Sequence, residues 1–230
     1  MQETVKSKIS GEENWYESGK YDQVAVSAQG GIAARVFHSQ VERGISRSDY
    51  FESVLEVGGA SGQHLPYVKH GFDKWIISDI TQASTDVVAS ADPRVLFEVQ
   101  DVHNLTYQSR TFDRVVATCL MHHLDDPLMA LREMRRVCKV GGLLSVLLPV
   151  DPGPLYEVAI QATSMRRARK LGFLGEARQA RALGHRNHYG SLRWQFEEAF
   201  SSDQVTVHWW PFPVGGRFAN AFSSWSVVKT

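Results

Sequence analysis

An apolar run that leads directly into glycines is the first part of the chain with residues suited to chemistry. It reads Val54-Leu-Glu-Val-Gly-Gly-Ala-Ser-Gly62. Glycines at such a turn let the backbone of Gly58, Gly59 and Gly62 come close to a nucleotide-like ligand. Glu56 is expected to accept hydrogen bonds beside that ligand, because a buried carboxylate is costly without partners. An ordinary tight connection between a strand and a helix explains the glycines alone equally well.

The glycine spacing disagrees with the fingerprint of dinucleotide-binding proteins. A G-x-G-x-x-G match that starts at Gly58 would require glycine at Ala60 and at Gln63. The spacing therefore counts against a nicotinamide cofactor, and a nicotinamide-dependent oxidoreductase is kept as an alternative.

Two further carboxylates follow apolar runs. Asp79 ends the run Trp-Ile-Ile-Ser-Asp, 23 residues after Glu56, where a carboxylate can accept both hydroxyls of a ribose. It can equally cap a helix that begins at Thr81. Asp101 follows the next run, and a lone aspartate in a loop is more often a turn residue.

Two adjacent histidines, His122 and His123, follow the apolar run that ends at Thr118. Histidine titrates near neutral pH and can act as a general base. Because neighbouring side chains diverge, the two rings cannot both point at one site, and one of them is expected to have a structural role.

Short apolar runs alternate with helical stretches from Ser53 onwards, which predicts an α/β fold with a parallel sheet covered on both faces. A closing hairpin predicts a Rossmann-like, seven-stranded sheet with one reversed strand. The helix before the fifth run is capped by Asp126, has Pro127 in its first turn and is expected to end at Gly141. The predicted strands are 54–57, 75–78, 95–99, 112–118, 142–148, 205–210 and 222–228.

Together these features resemble class I S-adenosylmethionine-dependent methyltransferases. Glu56, Gly58 and Gly62 match the acidic-x-Gly-x-Gly-x-Gly motif of that family, whose middle glycine is replaced by Ala60. The segment around His123 and the later Arg-Val-Cys-Lys-Val-Gly-Gly-Leu-Leu are similar to further family motifs. The resemblance covers residues 53–149.

The resemblance implies S-adenosylmethionine as the cofactor and methyl transfer as the reaction. Glu56 then holds the amino group, Asp79 the ribose and Asp101 the adenine amino group. Ile80 lies against the adenine, and the Val102 amide meets a ring nitrogen. The expected cofactor contacts are Glu56, Gly58, Gly59, Ala60, Gly62, Asp79, Ile80, Asp101, Val102, Thr118 and Arg35. A non-catalytic protein that only binds the cofactor is the remaining alternative.

Residues 1–48 are expected to form a helical cover in front of the methyltransferase domain of residues 49–230. Arg35 in this cover can pair with the carboxylate of the cofactor, although a solvated helix arginine is the more common case. His38 and Tyr21 are expected on the side of the acceptor substrate.

A basic helical insertion is expected at residues 151–190, before the last helix. Residues 151–195 carry eight basic and three acidic side chains, a net charge of +5. This charge favours a small anionic acceptor, because arginine binds phosphate and carboxylate groups bidentately. A solvated arginine face and peripheral membrane contact are the alternatives. The expected acceptor contacts are His185, Arg186, His188 and Tyr189, and no spacing there predicts a metal site.

The whole chain has 25 basic and 25 acidic residues, so no long-range field attracts nucleic acid, and a nucleic-acid substrate is not expected. Its two cysteines show no paired spacing, which favours a reducing, cytoplasmic location. No signal sequence or membrane span is expected. Nothing in the sequence specifies an oligomeric state.

Overall fold

A mixed sheet forms the centre of the protein in a computed structural model that describes residues 20, 23–24, 32–81, 92–214 and 216–230. The strands are β1 Tyr50–Val57, β2 Gly71–Asp79, β3 Val95–Val99, β4 Phe112–Thr118, β5 Cys138–Pro149, β6 Gln204–Trp210 and β7 Phe222–Val228. The helices are α1 Ile32–Val41, α2 Pro127–Val137, α3 Pro154–Ile160, α4 Arg166–Leu171, α5 Leu174–Gly184, α6 Tyr189–Ala199 and α7 Gly216–Ala219.

The strands lie in the order β3-β2-β1-β4-β5-β7-β6. The pairs β1–β2, β1–β4, β2–β3 and β4–β5 are parallel, whereas β7 is antiparallel to both β5 and β6. This arrangement confirms the predicted seven-stranded Rossmann-like sheet with one reversed strand. The carboxyl ends of β1, β2, β4 and β5 therefore meet at one edge, where open α/β sheets bind their ligands.

Both faces of the sheet are covered. Along β1, Val54 packs into a core on the α1 side, while Leu55 and Val57 pack into the core on the opposite side. Met134 of α2 and Phe196 of α6 belong to that second core. Because strand side chains alternate between faces, two-sided burial explains why the central strands read as continuous apolar runs.

Helix α2 begins as predicted but ends earlier than expected. The Asp126 carboxylate accepts a hydrogen bond of 2.9 Å from the Met129 amide, and Pro127 occupies the first turn. The predicted end at Gly141 is wrong, because the helix ends at Val137 and β5 begins at Cys138. Gly141 lies inside β5 with a φ of +77°, so its left-handed conformation serves an irregularity of the strand.

The insertion, residues 151–190, follows β5 and holds α3, α4 and α5. A five-residue π-helical turn, Gln161–Met165, joins α3 to α4. Gly172 ends α4 in the left-handed conformation. Met165, Ala168, Ala177 and Ala180 form a small core together with Val24 of the N-terminal segment. The insertion therefore packs partly on that segment and lies beyond the carboxyl end of β5.

The predicted division between residues 48 and 49 stays a prediction, since most of the cover lies outside the described residues. Within the described ranges, no helix combines the length and the apolar character needed to cross a bilayer.

Candidate active site at the carboxyl edge of the sheet

The cofactor loop, residues 58–62, follows β1 and has a backbone suited to glycine. Gly58, Ala60 and Gly62 have φ angles of +63°, +44° and +74°. A Cβ atom on Gly58 would lie 2.6 Å from a methyl carbon of Leu120. Ala60 therefore adopts the left-handed conformation that the family motif normally assigns to glycine. The loop keeps the glycine geometry although the middle glycine is missing.

Glu56 lies beneath the cofactor loop and is 1% exposed. Its carboxylate accepts a hydrogen bond of 3.1 Å from the indole nitrogen of Trp75. Burial raises the pKa of Glu56, although the charge of His64 and the Trp75 hydrogen bond act in the opposite direction. The structure thus gives this carboxylate a protein partner.

Asp79, at the end of β2, ties the cofactor loop to the neighbouring strand. Its Oδ2 accepts a hydrogen bond of 3.1 Å from the Ala60 amide, and its Oδ1 accepts one of 3.3 Å from the Thr81 amide. The next residue, Ile80, is 67% exposed. An exposed isoleucine beside this carboxylate leaves apolar surface on which an adenine ring can lie.

Asp101 lies in the turn after β3 and is half exposed. Its Oδ1 accepts hydrogen bonds from the backbone amide and the Nδ1 of His103, at 2.9 and 2.8 Å. The side chain of Val102 is buried. Thr118, half-buried at the end of β4, pairs with Leu147 of β5. Asp101 thus forms the expected turn and keeps an exposed carboxylate at the same edge.

The expected contacts of the N-terminal cover have different positions. Arg35 is exposed on α1. His38, only 3% exposed, stacks on the Tyr67 ring at 4.6 Å, and its Nδ1 lies 3.2 Å from the Nδ1 of His64. Burial and the charge of His64 together lower the pKa of His38 to about 3, against a smaller opposite effect of Glu42. His38 is therefore packed inside the protein, and Tyr21 lies outside the described residues.

A buried polar network, formed by Glu42, His64, His70 and Arg114, fixes the end of α1 against the sheet. Glu42 accepts hydrogen bonds of 2.7 Å from Arg114 and 2.9 Å from His64, and Arg114 also donates to His70 at 2.6 Å. Burial acts to raise the pKa of Glu42, but these partners lower it to about 2. None of these four residues was predicted from the sequence. The position of Arg114 inside the apolar run 112–118 could have indicated such a network, because a buried charge requires partners.

Three side chains on the acceptor side converge in space. The expectation that the two adjacent histidines cannot both point at one site is therefore wrong, because the short helical turn Met121–His123 places both rings against His185. His122, His123 and His185, named here the histidine cluster, have ring centroids 4.0 to 5.1 Å apart. The Nδ1 of His123 donates to the Gly184 carbonyl at 2.9 Å, and the Nδ1 of His185 donates to Asp151 at 2.6 Å. Burial lowers the pKa of His123 to about 4 and that of His122 well below its usual value.

Asn187, which the sequence analysis did not name, joins the insertion to the turn that carries these histidines. Its backbone amide donates to the His122 carbonyl at 3.1 Å, and its side-chain amide donates to the Leu124 carbonyl at 2.6 Å. These bonds bring His185 within reach of a turn about 60 residues earlier in the chain.

A cleft of about 410 Å³ opens beside the histidine cluster. It is lined by Asp151, Glu157, Gln161, Met165, Arg178, Arg181, Ala182, His185 and His188. The structure thus brings two of the four expected acceptor contacts into one cleft. Arg186 instead pairs with Asp125, and Tyr189 is buried in the core against Trp209.

Comparison with known proteins agrees with this geometry. Residues 55–146 match the family model described as a methyltransferase domain. The chain is 34% identical over 101 residues to methyltransferase GfsG of Streptomyces halstedii, covering 44% of the chain and 34% of that protein. It is 27% identical over 169 residues to a PKS-NRPS hybrid synthetase of Chaetomium globosum, covering 66% of the chain and 4% of that protein. The chain thus spans a minor part of both relatives.

Solved structures show the same fold. Phosphoethanolamine N-methyltransferase 2 of Haemonchus contortus, in complex with S-adenosyl-L-methionine, superposes with a TM-score of 0.64 at 13% identity, covering 97% of this chain and 61% of that one. The CurJ carbon methyltransferase superposes with a TM-score of 0.62 at 14% identity, covering 96% and 62%. The protein therefore has the class I methyltransferase fold, and its residues 55–146 match the methyltransferase domain model.

The family indicates S-adenosylmethionine as the cofactor, and the residues at the sheet edge fit it. The cofactor loop allows a close backbone approach, Ile80 offers an exposed apolar surface, and Asp79 and Asp101 offer acceptor oxygens along the same edge. A carboxylate has more acceptor positions than its present partners use.

Proposed function

We propose that this protein transfers a methyl group from S-adenosylmethionine to an oxygen or nitrogen atom of a small molecule. The observation that carries the proposal is the cofactor loop. Three residues with positive φ lie next to Asp79 at the carboxyl edge of the sheet, inside the segment that matches the methyltransferase domain.

On the cofactor side, bound S-adenosylmethionine supplies a methyl group activated by positive sulfur. The loop backbone would let the ligand approach closely, Asp79 would hold it, and Asp101 would accept from its adenine amino group. Ile80 excludes water from one face of the ring. Glu56 lies beneath the loop, where a bound cation would favour the negative carboxylate over the neutral form that burial favours. These residues supply mainly orientation, which is the largest contribution that a methyl transfer needs from the protein.

On the acceptor side, the cleft of the insertion favours an anionic small molecule. Arg181 is neutralised by Asp151 at 3.1 Å and by Glu157 at 2.6 Å. Arg178 is the lining arginine for which no described carboxylate forms an ion pair. The two carboxylates and two arginines of the lining sum to zero charge, so the preference for an anion depends on the local guanidinium of Arg178, which can bind a carboxylate or phosphate group bidentately.

The histidine cluster lies where an acceptor would be activated. A hydroxyl acceptor must lose its proton for transfer, whereas a neutral amine needs no base before it attacks. Burial lowers the pKa of His123 to about 4, so its imidazole is neutral near pH 7 but is a weaker base than an exposed histidine. His185, held by Asp151, is oriented in the manner of a base fixed by a carboxylate. A base of this kind supports an oxygen acceptor, whereas a nitrogen acceptor needs none. The carbon methyltransferase among the structural neighbours makes carbon the competing outcome.

Calorimetry with S-adenosylhomocysteine tests the cofactor half of the proposal. We expect micromolar binding by the natural protein and at least about tenfold weaker binding by Asp79→Asn, because hydrogen bonds to charged groups contribute about 1.5–3 kcal/mol. The matched control is Asp73→Asn, an exposed aspartate earlier in the same strand, which should leave the affinity unchanged. Absence of binding by the natural protein would refute the proposal.

Methyl transfer across a library of small anionic hydroxyl and amino compounds tests the acceptor half, with mass spectrometry locating the added methyl group. Product methylated on carbon would contradict the proposed acceptor atom. Binding of S-adenosylhomocysteine without any transfer would favour the non-catalytic alternative. Quenching of tryptophan fluorescence by NADH but not by S-adenosylhomocysteine would favour the oxidoreductase.

A further inference from the structure

The histidine cluster has the composition and surroundings of a metal centre. We propose that His122, His123 and His185 bind a divalent transition-metal ion of the zinc type. Neutral imidazole is a preferred ligand of Zn²⁺, Ni²⁺ and Cu²⁺, and three histidines with one open position form a recurring catalytic zinc site.

The spacing of the ring nitrogens supports this site. One nitrogen of each ring lies within 4.8 Å of the others. Zn–N bonds of about 2.0–2.1 Å in a tetrahedral arrangement place ligand nitrogens about 3.3 Å apart. The rings must therefore approach one another by no more than about 1.5 Å, which small rotations of the side chains supply.

The partners of His123 and His185 are those that a metal site requires. Histidine ligands typically donate their second ring N–H to a carboxylate or a backbone carbonyl, which fixes the tautomer and the ring orientation. Here Nδ1 of His123 donates to the Gly184 carbonyl, and Nδ1 of His185 donates to the Asp151 carboxylate. In both rings Nδ1 therefore carries the proton, so Nε2 is the nitrogen that would bind an ion.

His122 adds an independent observation. The side chain is 3% exposed, and its Nδ1 is buried with no hydrogen-bond partner among the described residues. Leaving a polar atom in such a position costs about 1–3 kcal/mol. Coordination of an ion by His122 would give the buried imidazole a polar partner.

The histidine cluster borders the cleft proposed for the acceptor. His185 belongs both to the histidine cluster and to the lining of the cleft. A hydroxyl group that coordinates there would have a lowered pKa and release its proton to water. Its oxygen then forms the bond to the methyl carbon as the carbon–sulfur bond breaks, leaving a methyl ether and S-adenosylhomocysteine. This use of the ion rests on the proposed function, whereas metal binding itself does not.

The test is metal binding by the full chain after treatment with a chelator. Calorimetry should show one Zn²⁺ bound per chain, and Co²⁺ should give the intense visible absorption of a tetrahedral site. Asp151→Asn should weaken Zn²⁺ binding about 10- to 100-fold, and His185→Ala should weaken it further. The matched control is His208→Ala in β6, outside the cluster, which should bind Zn²⁺ like the natural protein.

Equal Zn²⁺ affinity of the natural protein and His185→Ala would overturn the inference, as would an absence of binding by the natural protein. Circular dichroism of each variant establishes that it is folded, and Asp151→Asn retains the size of the natural side chain. Binding of S-adenosylhomocysteine is measured separately. Binding of Zn²⁺ without binding of S-adenosylhomocysteine would refute the proposed function but support the metal site. Binding of S-adenosylhomocysteine without binding of Zn²⁺ would refute the metal site alone.

Discussion

Removal of the Glu42 carboxylate should destabilise the protein more than a surface change of the same kind. Glu42 and Arg114 have side chains that are 1% and 0% exposed. The change Glu42→Ala removes a 2.7 Å hydrogen bond from Arg114 and a 2.9 Å hydrogen bond from His64. A hydrogen bond to a charged group contributes about 1.5–3 kcal/mol and a neutral one about 0.5–1.5 kcal/mol. We therefore expect a loss of about 3 kcal/mol, at the lower end of the range for a broken buried ion pair.

Arg114 keeps three neutral partners, His70, Ser145 and the Val41 carbonyl, in the variant, which is why the lower end of that range applies. Urea unfolding followed by circular dichroism measures the change, and the midpoint of thermal unfolding should fall by roughly 6–12 °C. Glu52→Ala is the matched control, because this glutamate is 74% exposed and lies 3.9 Å from Lys139. It should change the free energy of unfolding by less than about 0.5 kcal/mol.

A loss below about 1 kcal/mol for Glu42→Ala would refute the reasoning, because it would mean that the buried guanidinium needs no charged partner. Replacement of both partners by apolar side chains, Glu42→Leu with Arg114→Met, should cost less than the sum of the single changes. This second measurement separates the loss of the ion pair from the loss of packing volume.

Three further changes test the loop, the adenine side and the interior. Ala60→Gly should change the free energy of unfolding by less than about 0.5 kcal/mol in urea unfolding. Relief of about 1 kcal/mol of left-handed strain in the folded state is offset by the greater entropy of glycine in the unfolded chain. Ala60→Val should be clearly destabilising. Asp101→Asn should weaken S-adenosylhomocysteine binding about 2- to 10-fold in calorimetry, and an unchanged affinity would remove this residue from the site. The pKa of His38 is about 3 in the folded protein and 6.5 in the unfolded chain. The free energy of unfolding therefore contains the full stabilising contribution of neutral His38 above pH 6.5. This contribution is lost as the pH falls, and the loss reaches about 3 kcal/mol at pH 4.5. His38→Phe, which keeps a ring against Tyr67, should make acid unfolding less steep, and an unchanged pH dependence would contradict the lowered pKa.

The alternation of apolar runs and helical stretches was sufficient to predict the sheet and its reversed strand, because buried parallel strands and their crossover helices leave strong local patterns. Local signals also located the start of α2 at Asp126. They failed at its end, since Gly141 looks like a helix stop but lies inside β5. A glycine with positive φ can end a helix or lie at an irregularity within a strand. The burial of Cys138 in the core, as the first residue of β5, selects the strand.

The amino-acid sequence by itself determined the cofactor side of this protein. Glu56, the glycines around Ala60 and Asp79 are contiguous with strand ends, so their positions follow from the order of the strands. Only the tertiary structure showed that His122 contacts the predicted acceptor residue His185, because the two are 63 residues apart in the chain and meet only when the insertion folds back over the sheet edge. It also decided that His38 and Tyr189 lie inside the protein, since burial depends on what packs against a residue and not on its neighbours in sequence.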